Sequence, residues 1–356
     1  HVAQPRVRCS GLNLCNESEP EQPCPSADEC CRNLWITRWP VGRRAGLPGM
    51  PVRLTRDLRA EGLGSSAIRT LVRDDHLHRV RRGAFVTEAE DDLGQRHRSL
   101  IRATLPRLAP GNVLSHSSAA IMHGLPTDSA ALQRVWLTRP GRGGTWIGPY
   151  VHRYRTPLDD SDVEVADDLE RTTLARTVID IGRCGELGFG VAAADRALRS
   201  GLPRKELVDR LSAARRRFGV ARARTMVELA DGRSESAGES LSRVALWRLG
   251  LAPEQLQFEV TIGDLCYRSD FAWPSARVLG EFDGKVKYGT LLRPGESSAD
   301  VVMREKRREA DLRAAGWWVV RWTYADVMHP SAWTASCAQP CAADRTLLSF
   351  GFVAQV

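Results

Sequence analysis

Residues 268–288 constrain this chain most, because they carry acidic residues on two neighbouring stretches that favour strands. Two short apolar runs flank a Pro-Ser corner, and this pattern predicts a β-hairpin. Strand side chains alternate between two faces, so Glu281 and Asp283 are expected on the same face. The other strand of the hairpin could bring Asp270 beside them.

Three carboxylates on one sheet face repel one another, and a divalent cation between them would relieve that repulsion. Lys285 follows the second strand and would suit a phosphate or a developing negative charge. The alternative is a solvated hairpin whose acids face water, which is common for acidic residues in strands. The hairpin alone leaves both interpretations open.

Composition narrows the class of protein. A chain of 356 residues suggests about two or three domains, and a formal net charge of +8 suits a polyanionic partner. No run of about 20 apolar residues is present, which predicts no membrane span. No secretory signal is visible, and the sparse cysteines of the middle region favour a reduced protein. We therefore expect a cytoplasmic location.

The two ends of the chain differ from the rest. Residues 1–49 lack helical or strand periodicity and contain several prolines, so they are expected to be a disordered or non-native leader. Their cysteines include no Cys-x-x-Cys pair, so their spacing does not favour the alternative of a zinc site. Residues 331–356 are expected to be a tail that does not continue the last domain.

Residues 50–90 predict a winged helix-turn-helix. A helix over 54–61 is followed by a glycine turn, a second helix that Ser65 or Ser66 is expected to cap and that runs to about Asp75, and a basic hairpin over 77–86. The second helix would enter the major groove and the hairpin would contact phosphates. The expected DNA contacts are Arg69, Arg73, Arg79, Arg81 and Arg82. The alternative is a small helical packing module with a solvated basic face.

This region resembles the N-terminal winged-helix domain of the AbiEi-type antitoxins of type IV toxin–antitoxin systems. The resemblance rests on the segment from Arg81 to Val86 in the hairpin and on the segment from Leu114 to Pro126. It covers about 50–126 and is looser to about 200. It implies binding to the promoter of the protein's own operon and a cognate toxin as a partner.

Ser115 and His116 lie within the second segment and could suggest a nucleophile with its base. No triad partner or nucleophile elbow accompanies them. Ser115 is therefore expected to cap a helix, and His116 and His123 are expected to be structural or to face solvent.

Residues 91–230 are expected to form a mixed α/β region that becomes helical. Short strands over 133–157 surround a glycine-rich turn, which is not a phosphate loop because no Gly-Lys-Ser/Thr follows. Residues 170–230 are mostly helical in pattern. The arginine-rich run over 213–229 could track a phosphate backbone, but a solvated helix face is the simpler interpretation.

Residues 231–330 predict the element order α-β-β-β-α-β of the PD-(D/E)XK nuclease core. A helix from about 234 carries Glu235 and Glu239, four residues apart and expected on one side, with Arg243 four residues further on. A strand, the acidic hairpin, a basic helix over about 301–315 and an apolar strand over 317–322 follow.

This domain resembles a small endonuclease-like family related to very-short-patch-repair endonucleases. The matching landmarks are Glu235 to Ser240, Asp270 to Pro274, Gly280 to Gly284, Glu305 to Glu309, and Gly316 to Trp322. The resemblance implies Mg²⁺ (or Mn²⁺) as cofactor. It makes Asp270 the first metal carboxylate, Glu281 the second, and Glu239, or alternatively Glu235, the acid of the first helix.

One departure from the family pattern concerns the lysine. A strict (D/E)-x-K motif would have lysine at 283, where this chain has Asp283, so Lys285 would supply the positive charge. Arg307 and Arg308 would contact the DNA strand.

The whole pattern predicts a multidomain α/β protein that binds DNA and carries a PD-(D/E)XK endonuclease-like domain that hydrolyses phosphodiester bonds. The alternative is a non-enzymatic antitoxin and transcriptional autoregulator. A third possibility is an antitoxin that binds a small molecule or a toxin.

Overall fold

The structure is a computed structural model that describes residues 51–284 and 298–329. The expected leader over 1–49, the tail over 331–356 and Lys285 lie outside the described residues. The described chain is a mixed α/β protein with three sheets. Among the described residues, no helix combines the length and apolar character that crossing a membrane requires.

The first unit contains two short helices and a three-stranded antiparallel sheet in the order β1-β3-β2. Its elements are β1 (Arg53–Leu54), α1 (Thr55–Ala60), α2 (Ser65–Arg73), β2 (His78–Arg81) and β3 (Ala84–Val86). Leu58 and Ile68 pack on Leu77 and Phe85 to form its core. The cap prediction for α2 is wrong, because the N-cap position is Gly64 and no side chain caps the helix.

The second unit contains a six-stranded sheet in the order β6-β7-β5-β4-β9-β8. Its strands are β4 (Val113–Leu114), β5 (Val135–Arg139), β6 (Trp146–Ile147), β7 (Val151–Arg155), β8 (Val163–Ala166) and β9 (Leu169–Thr172). Two helices pack beside it, α3 (Leu93–Thr104) and α4 (His116–His123). The mixed sheet agrees with the strands expected around the glycine-rich turn.

A helical layer follows, as the apolar periodicity predicts. It consists of α5 (Leu174–Cys184), α6 (Leu187–Arg199), α7 (Arg204–Ala213) and α8 (Val220–Leu229). Val178, Ala194, Leu207 and Met226 are fully buried within its core. The small side chains of α6 allow close packing of the neighbouring helices.

The last unit is a four-stranded sheet in the order β10-β11-β12-β13 with helices on both faces. Its elements are α9 (Ala237–Arg248), β10 (Gln255–Ile262), β11 (Leu265–Trp273), β12 (Val278–Asp283), α10 (Ser298–Ala314), β13 (Trp318–Thr323) and α11 (Tyr324–Met328). The predicted hairpin is confirmed as β11 and β12, which pair antiparallel. β13 returns parallel to β12.

Helix α9 joins the helical layer to this sheet. Leu241 packs with Phe271 and Trp322 of the sheet, whereas Val244 belongs to the core of the helical layer. A Cβ at Gly238 would overlap the Phe282 ring, so α9 approaches β12 closely at its first turn. This contact brings the first turn of α9, which includes Glu239, against the middle of the sheet.

Candidate functional site

Three acidic residues from three elements surround the centre of the last sheet. Glu239 lies in the first turn of α9, Asp270 on β11 and Glu281 on β12. Ser236 is the N-cap of α9, and its hydroxyl accepts a hydrogen bond from the Glu239 backbone N–H at 3.1 Å. The Glu239 carboxylate in turn accepts hydrogen bonds from the Ser236 hydroxyl (2.9 Å) and the Glu235 backbone N–H (2.7 Å). The cap therefore fixes the carboxylate in a buried position.

The hairpin register brings Asp270 next to Glu281. Phe271 pairs with Gly280, so the preceding residue on β11 lies beside the following residue on β12. The Asp270 carboxylate accepts a hydrogen bond from the Phe282 backbone N–H at 3.0 Å. Two of the three predicted hairpin acids are therefore neighbours.

Gln257 links the acid of β11 to the acid of α9. Its side-chain amide donates to Glu239 Oε2 at 2.9 Å and to Asp270 Oδ1 at 3.4 Å. Its backbone has φ of +53°, a left-handed conformation that is uncommon for a residue other than glycine. The sequence gives no signal for this bridge, because a glutamine in a strand has no motif that reveals its partners.

Burial dominates the environment of both Glu239 and Asp270. Burial, reinforced by the charge of Asp270, raises the pKa of Glu239 to about 7. Burial also raises the pKa of Asp270 to about 6; the Phe282 hydrogen bond opposes this rise and the charge of Glu281 adds to it. The two carboxylates resist being ionised at the same time because each disfavours the charge of the other. A cation between them would favour the ionised forms, so the pair is suited to bind one.

Glu281 has the opposite environment. Burial alone would raise its pKa, but the hydrogen bonds and charges of Arg308 and Arg321 outweigh burial and leave the pKa lowered. Arg321 Nε donates to Glu281 Oε2 at 3.0 Å, and Arg308 donates to the other carboxylate oxygen. Arg321 also contacts Glu309 at 2.8 Å. In the sequence, Arg321 is only part of the landmark from Gly316 to Trp322, and no local pattern there indicates its pairing with Glu281.

The expected convergence of Asp270, Glu281 and Asp283 is not observed. Asp283 is exposed at the end of β12, whereas Glu281 turns to its two arginines. Across residues 51–284 and 298–329, no group of three or more His, Cys, Asp or Glu side chains is arranged to hold a metal ion. Mg²⁺ commonly uses one or two carboxylates plus substrate phosphates, so the pair of Glu239 and Asp270 still fits such an ion.

The side chains of the other predicted residues of this site have partners or positions outside the acidic pair. Glu235 precedes α9 and forms ion pairs with Arg268 at 3.0 Å and Arg199 at 3.5 Å, so it does not share a helix face with Glu239. Arg307 is exposed, as a DNA contact requires. Arg308 is instead bound to Glu281 through its guanidinium.

The predicted DNA contacts of the first unit divide into two groups. Arg69, Arg73, Arg79 and Arg82 are exposed. Arg81 is not available, because its guanidinium lies 4.4 Å from the Tyr150 ring centroid and donates to Thr104 Oγ1 at 2.8 Å. Burial lowers its pKa. Arg81 therefore fixes the hairpin against the second unit.

Ser115 and His116 form a buried polar contact without a catalytic arrangement. Ser115 is at the N-cap position of α4, but its side chain does not cap the helix as predicted. Its hydroxyl instead accepts a hydrogen bond from Thr138 at 2.8 Å and lies 2.9 Å from His116 Nδ1. Burial lowers the pKa of His116 to about 4, and its ring stacks on Tyr154. These contacts suit the structural role that we expected for His116.

Comparison with known proteins gives relatives whose names state no activity. No known protein-family model matches the chain. The chain is 29% identical over 261 residues to two Mycobacterium tuberculosis proteins described as uncharacterized, one from strain CDC 1551 / Oshkosh and one from strain ATCC 25618 / H37Rv. Each alignment covers 72% of this chain and 89% of the relative.

The acidic pair predicts a specific dependence of stability on pH. The pKa values of Glu239 (about 7) and Asp270 (about 6) exceed those of unfolded carboxyl groups, about 4. Between about pH 4 and pH 7 the folded chain therefore binds more protons at these two groups than the unfolded chain does. Because of this difference, the pair makes the free energy of unfolding fall as the pH rises through that window. Glu239→Gln should reduce the fall between pH 5 and pH 8, measured by urea denaturation.

The matched control is Glu259→Gln, because Glu259 is an exposed acid on β10 of the same sheet. This control should keep the pH dependence of the parent. An unchanged pH dependence in Glu239→Gln would contradict the raised pKa of Glu239.

Proposed function

We propose that this is a DNA-binding protein whose C-terminal unit, residues 231–329, hydrolyses phosphodiester bonds with Mg²⁺ or Mn²⁺. One observation carries the proposal: Glu239 and Asp270, both with raised pKa, are joined by Gln257 beside the sheet. The order of elements from α9 to β13 supports a nuclease core of the PD-(D/E)XK type. The N-terminal order of two helices and a basic hairpin supports a winged helix as the DNA-reading unit.

Within this proposal, Glu239 and Asp270 would hold the cation. A bound divalent cation supplies a Lewis acid for the phosphate and lowers the pKa of its water. Gln257 fixes the orientation of both carboxylates through its amide. Arg307 is exposed on the helix that also carries Arg308, so it can contact the phosphate backbone without breaking an ion pair to any described residue.

The test is cleavage of supercoiled plasmid DNA in the presence of Mg²⁺ or Mn²⁺. We expect the parent to nick the plasmid and Asp270→Ala/Glu281→Ala to lose at least about a hundredfold in rate. Glu239→Gln should show a similar loss while leaving the arginine contacts of Glu281 intact. Glu259→Ala/Asp264→Ala removes two exposed acids of the same sheet and should cleave as the parent does.

A second function, that of a non-enzymatic AbiEi-like antitoxin and transcriptional autoregulator, is favoured by a different observation. Glu281 is bound by Arg308 and Arg321, and Asp283 occupies the position where a strict motif has lysine. Ion pairs at Glu281 and a missing motif lysine are expected of a protein whose acids serve only to stabilise the fold. In that case neither parent nor variant cleaves, and both retard duplex DNA with an affinity that falls as salt rises. A cognate toxin would then be the further partner.

A further inference from the structure

The turn between α7 and α8 exposes an aromatic ring. Phe218 is 84% exposed, more than any other large hydrophobic residue of the described chain. It follows three consecutive arginines, Arg215, Arg216 and Arg217. A single exposed apolar side chain needs no explanation in general, but here the backbone that carries the ring is held by its neighbours.

Arg183, at the end of α5, fixes the backbone of this turn. Its Nε donates to the Phe218 carbonyl oxygen at 3.1 Å, and its Nη1 donates to the buried Asp180 carboxylate at 2.9 Å. Gly219 has φ of +76°, and a Cβ at this position would overlap the Arg183 carbonyl oxygen. The turn is therefore anchored to the core of the helical layer, and the ring of Phe218 is presented to solvent from a defined backbone.

The surface around the ring is strongly basic. Residues 213–224 contain five arginines and no acidic residue. Arg217 Nη2 contacts the Pro157 carbonyl at 3.4 Å, and Arg222 Nη1 donates to the Gly185 carbonyl at 2.8 Å. Arg215 and Arg216 are exposed, and no acid of the described chain forms an ion pair with either of them. Two free guanidinium groups thus lie within three residues of an exposed ring.

We propose that the segment from Arg215 to Gly219 binds single-stranded DNA, with Phe218 stacking on a base and Arg215 and Arg216 contacting phosphates. The inference rests on the proposed DNA-binding function and adds a second contact surface to it. Cationic side chains attract a phosphate backbone, and an aromatic ring stacks on any base, so the pair suits a strand of unspecified sequence. An unpaired base offers its face to the ring, whereas bases inside a duplex are already stacked.

Binding of the full chain to fluorescent oligothymidylate tests this proposal by fluorescence anisotropy. Phe218→Ala is expected to weaken binding roughly tenfold, and Phe218→Trp is expected to restore it. On an abasic strand of equal length and charge, Phe218→Ala should have no effect, because the strand offers no base for stacking. Binding to a duplex of matched length should also be unchanged, because the winged helix lies elsewhere in the chain.

Arg215→Ala/Arg216→Ala should weaken binding to both oligothymidylate and the abasic strand. It should also make the slope of log affinity against log salt concentration shallower by about 1.4, or about 0.7 for each phosphate contact. The matched control is Arg142→Ala/Arg155→Ala, which removes two exposed arginines near the six-stranded sheet and should keep the parent's slope. Because Phe218 is so exposed, its replacement should leave the thermal midpoint unchanged.

Three outcomes would overturn the proposal. Duplex binding without oligothymidylate binding refutes the single-strand site and leaves the proposed function intact. Equal oligothymidylate affinity in the parent and Phe218→Ala refutes the stacking role. Failure to bind any DNA removes both the inference and the function on which it rests. A loss for Phe218→Ala on oligothymidylate alone supports the inference.

Discussion

Asp195→Ala is expected to reduce the free energy of unfolding by about 3–5 kcal/mol. Asp195 is buried between α6 and α9, where it accepts hydrogen bonds from the Ser240 hydroxyl and the Asp231 backbone N–H, each at 2.6 Å. Its carboxylate also forms an ion pair with Arg243, which is itself only 8% exposed. The variant leaves that guanidinium buried without its acid. Urea denaturation of the full chain, followed by circular dichroism, measures the loss.

The same pair of helices offers a matched control. Arg248, on α9, pairs with Glu186 at the start of α6, and both side chains are well exposed. Arg248→Ala should therefore cost about 0–1 kcal/mol. The double variant Asp195→Leu/Arg243→Met should lose less than Asp195→Ala, because it leaves no unpaired buried charge. A loss from Asp195→Ala no larger than that from Arg248→Ala would refute the argument.

This ion pair has a consequence for the acidic site. Arg243 lies one helical turn after Glu239 on α9, so the helical layer fixes the helix that carries the acid. The sequence predicted that Glu235 and Glu239 would face one way, with Arg243 four residues further on. The helix begins later than expected, after Ser236, and Arg243 turns inward to Asp195. A spacing of four residues fixes a helix face only when the whole interval is helical.

Local patterns predicted much of the fold. The helix at Ser65–Arg73, the hairpin from Leu265 to Asp283 and the strand at Trp318–Thr323 are confirmed within a few residues. Apolar periodicity and short turns determine these elements, and both are visible in a window of a few residues. The proximity of Asp270 and Glu281 could be predicted for the same reason, because it follows from one hairpin.

The contacts that decide the chemistry could not be predicted in this way. Arg321 meets Glu281 because β13 pairs parallel to β12, with Arg321 opposite Glu281 in the register. That pairing depends on a crossover through α10, and no local pattern sets its register. Arg81 was expected to contact DNA, but it packs on the Tyr150 ring and donates a hydrogen bond to Thr104. Both partners come from segments that are distant in the sequence.

Glu281→Gln is expected to destabilise the chain by about 2 kcal/mol at pH 7.5, whereas Glu239→Gln should stabilise it. The Glu281 carboxylate neutralises Arg308 and Arg321, and these contacts lower its pKa in the folded chain. The ionised carboxylate therefore stabilises the fold at pH values above its unfolded pKa. This stabilisation is lost as the pH falls through its folded pKa. Glu239 has a raised pKa of about 7 and its ionised form opposes folding at pH 7.5. Urea denaturation with Glu259→Gln as the exposed control measures both effects, and effects of equal sign would contradict the assignment.

The effect of Mn²⁺ on the stability of the same kind of variants would identify which acids bind a cation. A cation that binds only the folded chain raises its unfolding free energy by about 2.7 kcal/mol at a hundred times its dissociation constant. If Glu239 and Asp270 form the site, Mn²⁺ should stabilise the parent and Glu281→Gln but neither Glu239→Gln nor Asp270→Asn. Glu281 would then act through its arginines, as a group that neutralises and positions them. Loss of the Mn²⁺ effect in Glu281→Gln as well would instead mean that Glu281 leaves its arginines to bind the ion. Absence of the effect in the parent would remove the cation, and with it the enzymatic proposal, and leave the regulator.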